Sequence, residues 1–306
     1  PRRTSRLAIL ALVTITGLGA AWLTRPYGAL EGVGASGGKI AASSATDTRT
    51  RWHPVLFSMG AYRSFPIARD FSSPEEYTGE MLRTWEPLYY SDGEVASVSV
   101  LRNRDSGHLV MNISGKPDAS AGGEFTTDLQ TQLLLGYLPL LVHPAPKEPL
   151  CLGLGGGMTL GAMAAHPAVD TVDLLELSPE VEEAARLHFA GANKGALSNP
   201  KVRKVIGDGR NHLTHTRRTY DVISSEPSNF WIAGLGNLFT EEFYTIVKDR
   251  LKPGGILCQW IYGYNIRLAD YQVALRTILR VFPQATIWTN HFGDTLILAA
   301  REPITI

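Results

Sequence analysis

The sequence predicts an α/β protein in which a Rossmann-like sheet follows a small β domain and an N-terminal transmembrane segment. Strand and helix signals alternate from residue 149 to the C-terminus, which is typical of a parallel sheet covered by helices on both faces. Upstream, two runs of alternating apolar and polar residues, Glu94–Leu101 and His108–Ile113, flank a polar turn and predict a β-hairpin. An uncharged apolar run, Leu7–Leu23, stands near the N-terminus.

The N-terminal apolar run is about as long as the shortest transmembrane helices. Arg2, Arg3 and Arg6 precede it and no small-residue cleavage site stands out after it, so a membrane span is favoured over a signal peptide. A stretch rich in Gly, Ala and Ser follows and predicts a flexible linker. The predicted domains are a transmembrane segment at 1–27, a linker at 28–50, a small β domain plus a connecting helix at 51–145, and a Rossmann-like domain at 146–306.

The secondary-structure signals also predict the order of the elements. A connecting helix is expected at 128–141, before a proline-marked boundary at 143–146. The Rossmann-like domain is expected to have strands at 149–153, 171–176, 202–206, 220–224 and 255–260, and helices that begin at Thr159 and Pro179 or span 240–251. A last helix at 269–281 and strands at 286–290 and 295–299 predict the antiparallel end typical of methyltransferase-type sheets.

Composition excludes some classes of function. The 306 residues contain 29 basic and 29 acidic side chains, so no overall positive charge attracts a nucleic acid, and none is expected as a partner. His212 and His215 lack a neighbouring carboxylate or cysteine that would complete a set of metal ligands, so no metal site is predicted.

The strongest local motif is a buried strand that runs into a glycine turn and then a helix, at Leu150–Gly157. Gly153, Gly155 and Gly157 allow the backbone to come close to a ligand beside the N-terminus of that helix. Glu176 ends the next strand about 20 residues later, where its carboxylate can accept hydrogen bonds from ribose hydroxyls.

A second acid ends the third strand. Asp208, followed by Gly209, stands where a carboxylate can accept a hydrogen bond from an adenine amino group. Because the glycine turn and both acids fall at the carboxyl ends of successive strands, they predict a nucleoside pocket rather than helix caps alone. NAD is the rival nucleoside ligand.

The fourth strand ends in Ser224–Trp231, which places a carboxylate and an aromatic side chain at the same rim. From here the chain resembles the polyamine aminopropyltransferases, that is, the spermidine synthase-like family. The motifs that carry the resemblance are Gly155–Gly157, Glu176, Gly207–Gly209, Leu238–Tyr244 and Leu251–Trp260. The Glu-Pro-Ser-Asn sequence at 226–229 resembles a bacterial branch of the family that is often fused behind membrane spans.

The resemblance implies an aminopropyl transfer from decarboxylated S-adenosylmethionine, or a relative such as S-adenosylmethionine itself, to an amine such as putrescine. Glu226 stands at the position of the family's catalytic Asp and would deprotonate the attacking amine. Gln132 and Asp128 of the connecting helix, Asn229 and Trp231 would contact the acceptor. The resemblance also implies a homodimer and a bacterial inner-membrane location. The catalytic domain is expected on the cytoplasmic side if Leu7–Leu23 is the last of several spans, because basic residues before a single span would predict an exported domain.

Three positions depart from the family's pattern and keep two alternatives open. Met158 replaces an acid after the glycines, Asn229 replaces the second acid of the catalytic loop, and Thr131 replaces a Tyr. The same pocket could serve an S-adenosylmethionine-dependent methyltransferase. The lost acids and the N-terminal span also allow a non-catalytic, membrane-linked domain that senses a polyamine or a nucleoside.

Overall fold

The computed structural model of the chain describes residues 53–60, 70–122, 127–230, 232, 234–263, 266–290 and 293–304, with the side chain of residue 127 left out. Two β-sheets organise these residues, one of four strands and one of seven. The predicted transmembrane segment at 1–27 and linker at 28–50 lie outside the described residues.

No helix within the described ranges combines the length and the apolar character needed to cross a bilayer.

The smaller sheet is an antiparallel meander preceded by two helices. Its elements are α1 (Pro54–Ser58), α2 (Pro74–Thr84), β1 (Trp85–Asp92), β2 (Ser97–Asn103), β3 (Leu109–Ile113) and β4 (Lys116–Ala121). The predicted hairpin is confirmed as β2 and β3. Helix α2 was not predicted; Ser73 caps it by accepting a hydrogen bond from the Glu76 backbone N–H at 3.1 Å.

The rest of the described chain alternates strands and helices. Its elements are α3 (Thr127–Val142), β5 (Leu150–Leu152), α4 (Met158–Ala165), β6 (Val172–Glu176), α5 (Pro179–His188), β7 (Val202–Ile206), α6 (Gly209–His215), β8 (Tyr220–Ser225), α7 (Glu241–Arg250), β9 (Leu251–Tyr262), α8 (Leu268–Val281), β10 (Gln284–Thr289) and β11 (Asp294–Ala300). Short 3₁₀ helices lie at Ala196–Ser198 and Leu235–Phe239.

Each strand predicted for the Rossmann-like domain is present, but β9 begins at Leu251 rather than at residue 255. The pairing of β9 with β8 shifts register between Tyr220 and Val222. Leu251 therefore pairs with Tyr220, although the glycines after Leu251 do not continue the ladder. The sequence pattern did not reveal this early start. Helix α6 was also missed, because it is only seven residues long and its sequence is polar.

The larger sheet has the strand order β10-β11-β9-β8-β5-β6-β7. Strands β5 to β9 are parallel, and β11 is antiparallel to both of its neighbours. This arrangement confirms the predicted Rossmann-like fold with the antiparallel end of a methyltransferase-type sheet. Strands β6 and β7 lie on one side of β5, and β8 and β9 lie on the other. The carboxyl ends of β5, β6 and β8 therefore border the crevice where ligands bind in such sheets.

The small sheet packs against the glycine turn that follows β5. Val98 and Met111 of the small sheet share one apolar core with Met158 and Phe189, and all four are at most 2% exposed. Burial of each of these side chains contributes roughly 1.5–3 kcal/mol. The contact fixes β4 above the turn, since a Cβ atom at Gly155 would lie 3.6 Å from the Ala119 Cβ atom. The two sheets therefore form opposite walls of one cleft.

Candidate active site

A cleft of about 1530 Å³ opens between the small sheet, α3 and the carboxyl ends of the parallel strands. A site for one small molecule usually has roughly 300–1,000 Å³, so this cleft has room for two ligands side by side. Six carboxyl side chains of the described residues line it: Asp118, Asp128, Glu176, Asp208, Glu226 and Asp294. The described part of the lining contains one lysine, Lys116, and one arginine, Arg210.

The glycine turn forms the floor of the cleft at the end of β5. Gly153, Gly155 and Gly157 have φ angles of +89°, +50° and +84°, which other residues rarely adopt. Gly153 and Gly155 line the cleft, whereas Gly157 is the N-cap residue of α4 and faces the side chain of Asn193. Asn193, buried and not predicted, donates a hydrogen bond to the Gly156 carbonyl oxygen at 3.0 Å and so holds the turn.

Glu176 connects the end of β6 to the glycine turn. Its carboxylate accepts hydrogen bonds from the backbone N–H groups of Leu154 at 2.8 Å and Ser178 at 2.9 Å. Burial raises the pKa of Glu176, and these backbone donors oppose the rise. Each carboxylate oxygen keeps a further lone pair, so the group can still accept hydrogen bonds from a ligand in the cleft.

Asp208 and Gly209 lie at the rim beyond β7. Asp208 is exposed and caps α6, because its carboxylate accepts a hydrogen bond from the Asn211 backbone N–H at 2.5 Å. The capping role and the position in the cleft coexist, since only one carboxylate oxygen is engaged. Gly209 also lines the cleft, and a Cβ atom there would overlap the Leu152 side chain.

Glu226 follows β8 directly and lines the cleft. The Thr159 hydroxyl at the start of α4 is 3.0 Å from Glu226 Oε2 and 2.9 Å from the Gln132 carbonyl oxygen. Burial raises the pKa of Glu226 to about 8; the Thr159 hydrogen bond opposes the rise, and the nearby Asp128 and Asp294 add to it. A carboxyl with this pKa can accept a proton near neutral pH.

The roof of the cleft adds two further acids. Asp118 on β4 accepts hydrogen bonds from Ser228 at 2.6 Å and from Lys116, and so connects the small sheet to the loop after β8. Asp128, at the start of α3, accepts a hydrogen bond from the Ser120 hydroxyl at 2.6 Å. The structure therefore brings Asp128 to the same cleft as Glu226.

The remaining predicted contacts differ in where they lie. Gln132 is 5% exposed and lines the cleft. Asn229 is 1% exposed and is not part of the described lining, because its side chain turns into the protein interior. Trp231 lies outside the described residues. Met158, at the position of a family acid, is 2% exposed and packs against Gly156 in the apolar core rather than lining the cleft.

Sequence reasoning missed Asp118, Thr159 and Asp294 as residues of this site. Asp118 and Asp294 belong to strands of different sheets, and only the packing of these sheets places both in one cleft. Thr159 had a usable signal, since it lies in the first turn of the helix that follows the glycine turn, where such folds bind ligands. Within the described residues, no three His, Cys, Asp or Glu side chains are grouped as metal ligands.

A glycine turn at the switch point of a mainly parallel sheet, an acid after the next strand and an antiparallel last strand define a nucleoside-binding fold of the methyltransferase type. The chain belongs to the spermine/spermidine synthase family, because the model of the spermine/spermidine synthase domain matches residues 129–291, more than half of its length.

Individual relatives agree with this family. The polyamine aminopropyltransferase of Thermotoga petrophila is 27% identical over 218 residues, which cover 70% of this chain and 72% of the relative. The spermidine synthase of Dictyostelium discoideum is 31% identical over 171 residues, which cover 56% of this chain and 58% of the relative.

Solved structures agree as well. The spermidine synthase from Thermotoga maritima is similar with a TM-score of 0.61 and 26% identity, covering 72% of this chain and 74% of that one. A spermidine synthase in complex with the transition state analogue AdoDATO gives a TM-score of 0.61 and 25% identity, covering 72% and 73% of the two chains. The predicted membership in an aminopropyltransferase family, and with it the transferase class, is confirmed.

Proposed function

We propose that this chain transfers an aminopropyl group from decarboxylated S-adenosylmethionine to a polyamine such as putrescine, with Glu226 as the base. The observation that carries the proposal is the charge of the cleft: among the described residues, six carboxyl groups line it beside one lysine and one arginine. Lys116 is paired with Asp118, and Arg210 donates a hydrogen bond to the Asn237 carbonyl oxygen at 2.9 Å. A cleft with this excess of acids favours cationic ligands, and both a sulfonium donor and an ammonium acceptor are cations.

The donor fits the side of the cleft built by the glycine turn. Gly153 and Gly155 let a nucleoside approach the backbone, and Glu176 offers carboxylate oxygens to ribose hydroxyls. Asp208 lies at the same rim, where it can accept a hydrogen bond from the adenine of the donor. These residues support nucleoside binding and do not by themselves distinguish the two forms of the donor.

The acids beyond the glycine turn support the decarboxylated form of the donor. Asp118 and Glu226 line the cleft beyond the glycine turn, where the chain of a bound donor would extend. The decarboxylated donor presents an ammonium group to them. Intact S-adenosylmethionine also brings a carboxylate, which Asp118 would repel and for which Lys116, already paired with Asp118, is no free partner. The acids therefore favour the decarboxylated form.

Glu226 is proposed to remove the proton that makes the acceptor amine unreactive. The neutral nitrogen then forms a C–N bond to the propyl carbon next to the sulfonium, the C–S bond breaks, and its electron pair stays on sulfur. The proton remains on Glu226 until the products leave, and methylthioadenosine is the leaving group. Because the raised pKa of Glu226 strengthens it as a base, burial of this residue assists the step.

Calorimetric titration of the full chain with the two forms of the donor tests the proposal. We expect the decarboxylated form to bind at least about 10-fold more tightly, which corresponds to about 1.4 kcal/mol. Tighter binding of intact S-adenosylmethionine would favour the methyltransferase alternative. Binding of the decarboxylated donor without methylthioadenosine release over a panel of amines would favour the non-catalytic sensor.

We also infer a membrane anchor at 1–27, a cytoplasmic catalytic domain and a homodimer. The anchor rests on the apolar run Leu7–Leu23, and the dimer rests on the family resemblance alone. Carbonate extraction of membranes, combined with protease protection of spheroplasts, tests the anchor and its orientation. Light scattering of the detergent-solubilised chain tests the dimer.

A further inference from the structure

Asp294 is a buried acid of the cleft that the family resemblance does not assign. It begins β11 and is 7% exposed. Its Oδ1 atom accepts a hydrogen bond from Trp260 Nε1 at 3.0 Å, and its Oδ2 atom accepts bonds from Thr131 Oγ1 at 2.6 Å and Asn290 Nδ2 at 3.3 Å. All three donors are neutral, so they orient the carboxylate without balancing its charge.

The other buried aspartates of the described chain are balanced by cations. Asp173, 5% exposed, contacts two arginines at N–O distances of 2.7 and 2.9 Å. Asp221, 8% exposed, contacts Lys252 at 3.2 Å. Among the described residues, no lysine or arginine forms an ion pair with Asp294. Because buried charges in proteins are usually paired, a cationic partner from outside the chain would complete this site.

A single turn of α3 connects Asp294 to the proposed base. The Thr131 hydroxyl contacts Asp294, and the carbonyl oxygen of the next residue, Gln132, lies 2.9 Å from the Thr159 hydroxyl that contacts Glu226. Both acids line the cleft, one at each end of this chain of contacts.

The side chain of Gln132 independently indicates a ligand at this place. It is 5% exposed and lines the cleft, yet no described group hydrogen-bonds to its Oε1 atom. A buried acceptor without a donor costs roughly 1–3 kcal/mol, and an N–H group of a bound amine would remove that cost. Trp260, which also lines the cleft, supplies an apolar surface for a methylene chain.

We propose that Asp294 binds the ammonium group at the far end of the acceptor, so that the acceptor is a diamine or longer polyamine held between Asp294 and Glu226. The proposal rests on the proposed function, which it extends by a specificity-determining residue. In this arrangement Thr131 and Asn290 hold the carboxylate, and Gln132 accepts a hydrogen bond from the amine. Asp294 thereby supplies the second acceptor-binding charge, because Asn229 at the family position is neutral and buried.

The test compares 1,4-diaminobutane with 1-aminobutane, which lacks the far ammonium group. The full chain and its Asp294→Asn variant are assayed for methylthioadenosine release at saturating decarboxylated donor. We expect Asp294→Asn to lower kcat/KM for the diamine by about 30- to 100-fold, as for a buried charge that loses its partner, and to change the monoamine value by less than about 3-fold. An equal loss of kcat/KM for both amines, or no loss for the diamine, would overturn the proposal.

Three further variants separate charge from structure. Asp294→Glu keeps the charge and is expected to retain the preference for the diamine, so loss of that preference would count against the proposal. Thr131→Val removes a supporting hydrogen bond but no charge, and its expected effect is below about 5-fold. A Thr131→Val loss as large as that of Asp294→Asn would overturn the role of the charge. Asp270→Asn is the matched control, because Asp270 of α8 is an exposed aspartate that forms an ion pair with Arg267.

Calorimetry keeps the two proposals distinguishable. Binding of 1,4-diaminobutane is measured in the presence of methylthioadenosine, where no turnover occurs. Weaker diamine binding by Asp294→Asn without any wild-type turnover would refute the proposed function and support the role of Asp294. Turnover by the wild type with equal diamine binding by both proteins would support the proposed function and refute the role of Asp294. A change in donor affinity instead of amine affinity would also overturn the role of Asp294.

Discussion

The hydroxyl group of Thr159 lies 3.0 Å from Oε2 of Glu226 and 2.9 Å from the carbonyl oxygen of Gln132. A hydroxyl has one proton, so it can donate to only one of these oxygens at a time. When Glu226 is ionised, Thr159 can donate to it; when Glu226 is protonated, Glu226 can donate to Thr159, which then donates to Gln132. The contact therefore serves both protonation states of the proposed base.

Replacement of Thr159 by Val tests this relationship. The hydrogen bond from Thr159 favours the ionised form of Glu226, so its loss is expected to raise the pKa of Glu226 further above its folded value of about 8. The ascending limb of the pH profile of kcat/KM should move to higher pH, with a loss of about 5- to 10-fold at pH 7. Thr159→Ser, which keeps the hydroxyl, should retain the wild-type profile; a Val variant with that profile would contradict the contact's role.

The pH dependence of stability follows from the raised pKa of Glu226. Its folded pKa of about 8 exceeds the ordinary 4.5, so between these values the folded state binds a proton that the unfolded state has lost. The stabilisation of the folded state by this bound proton is complete below pH 4.5 and is lost as the pH rises to about 8. We expect Glu226→Gln to reduce the fall in Tm between pH 5.5 and pH 8.5 by about 3 °C or more in calorimetric scans. Equal falls in both proteins would argue against the raised pKa.

Glu176 is expected to affect the donor and not the acceptor. Glu176→Gln keeps the shape of the side chain but weakens the charge-assisted hydrogen bonds, including those to ribose hydroxyls, so donor affinity should fall by about 10- to 100-fold. Titration calorimetry with the decarboxylated donor measures this loss. Glu180→Gln, on α5 beyond the cleft lining, is the control. A Glu176→Gln protein with unchanged donor affinity would exclude the proposed ribose contact.

Restoring the family acid at residue 158 is expected to harm this chain. Met158 is 2% exposed and packs near Gly156 and Phe189 in an apolar core. A carboxyl group there would be buried without a partner, so Met158→Asp should lower the free energy of unfolding by about 3 kcal/mol or more in urea titrations. Met158→Leu should cost less than about 1.5 kcal/mol. A stable Met158→Asp protein with tighter donor binding would show that this position faces the donor.

The periodicity of the sequence was sufficient to predict the parallel sheet and its order of elements. Strands such as β6 and β8 are short apolar runs bounded by turn residues, and local signals of that kind do not depend on the rest of the fold. Helix α2 was missed because its residues Pro74–Thr84 are mostly polar, and its start depends on the Ser73 cap. The register shift in β9 depends on the neighbouring strand, which sequence patterns do not reveal.

The candidate site was predictable where a residue directly follows a strand of the parallel sheet. Glu176 and Glu226 do so, and both line the cleft. Asp118 and Asp294 could not be found in this way, because they reach the cleft only through the packing of the small sheet and the antiparallel strand β11. The domain boundary between residues 145 and 146 and the roles of the individual site residues stay predictions.

Release of methylthioadenosine by the full chain tests the central claim most directly. The protein is given decarboxylated S-adenosylmethionine and 1,4-diaminobutane, and product is quantified between pH 6 and pH 10 for the wild type and Glu226→Gln. We expect the kcat/KM of the wild type to rise with pH through an apparent pKa near 8, and that of Glu226→Gln to be about 10²- to 10⁴-fold lower without this rise. Glu226→Gln with wild-type turnover and the same pH profile would contradict the account.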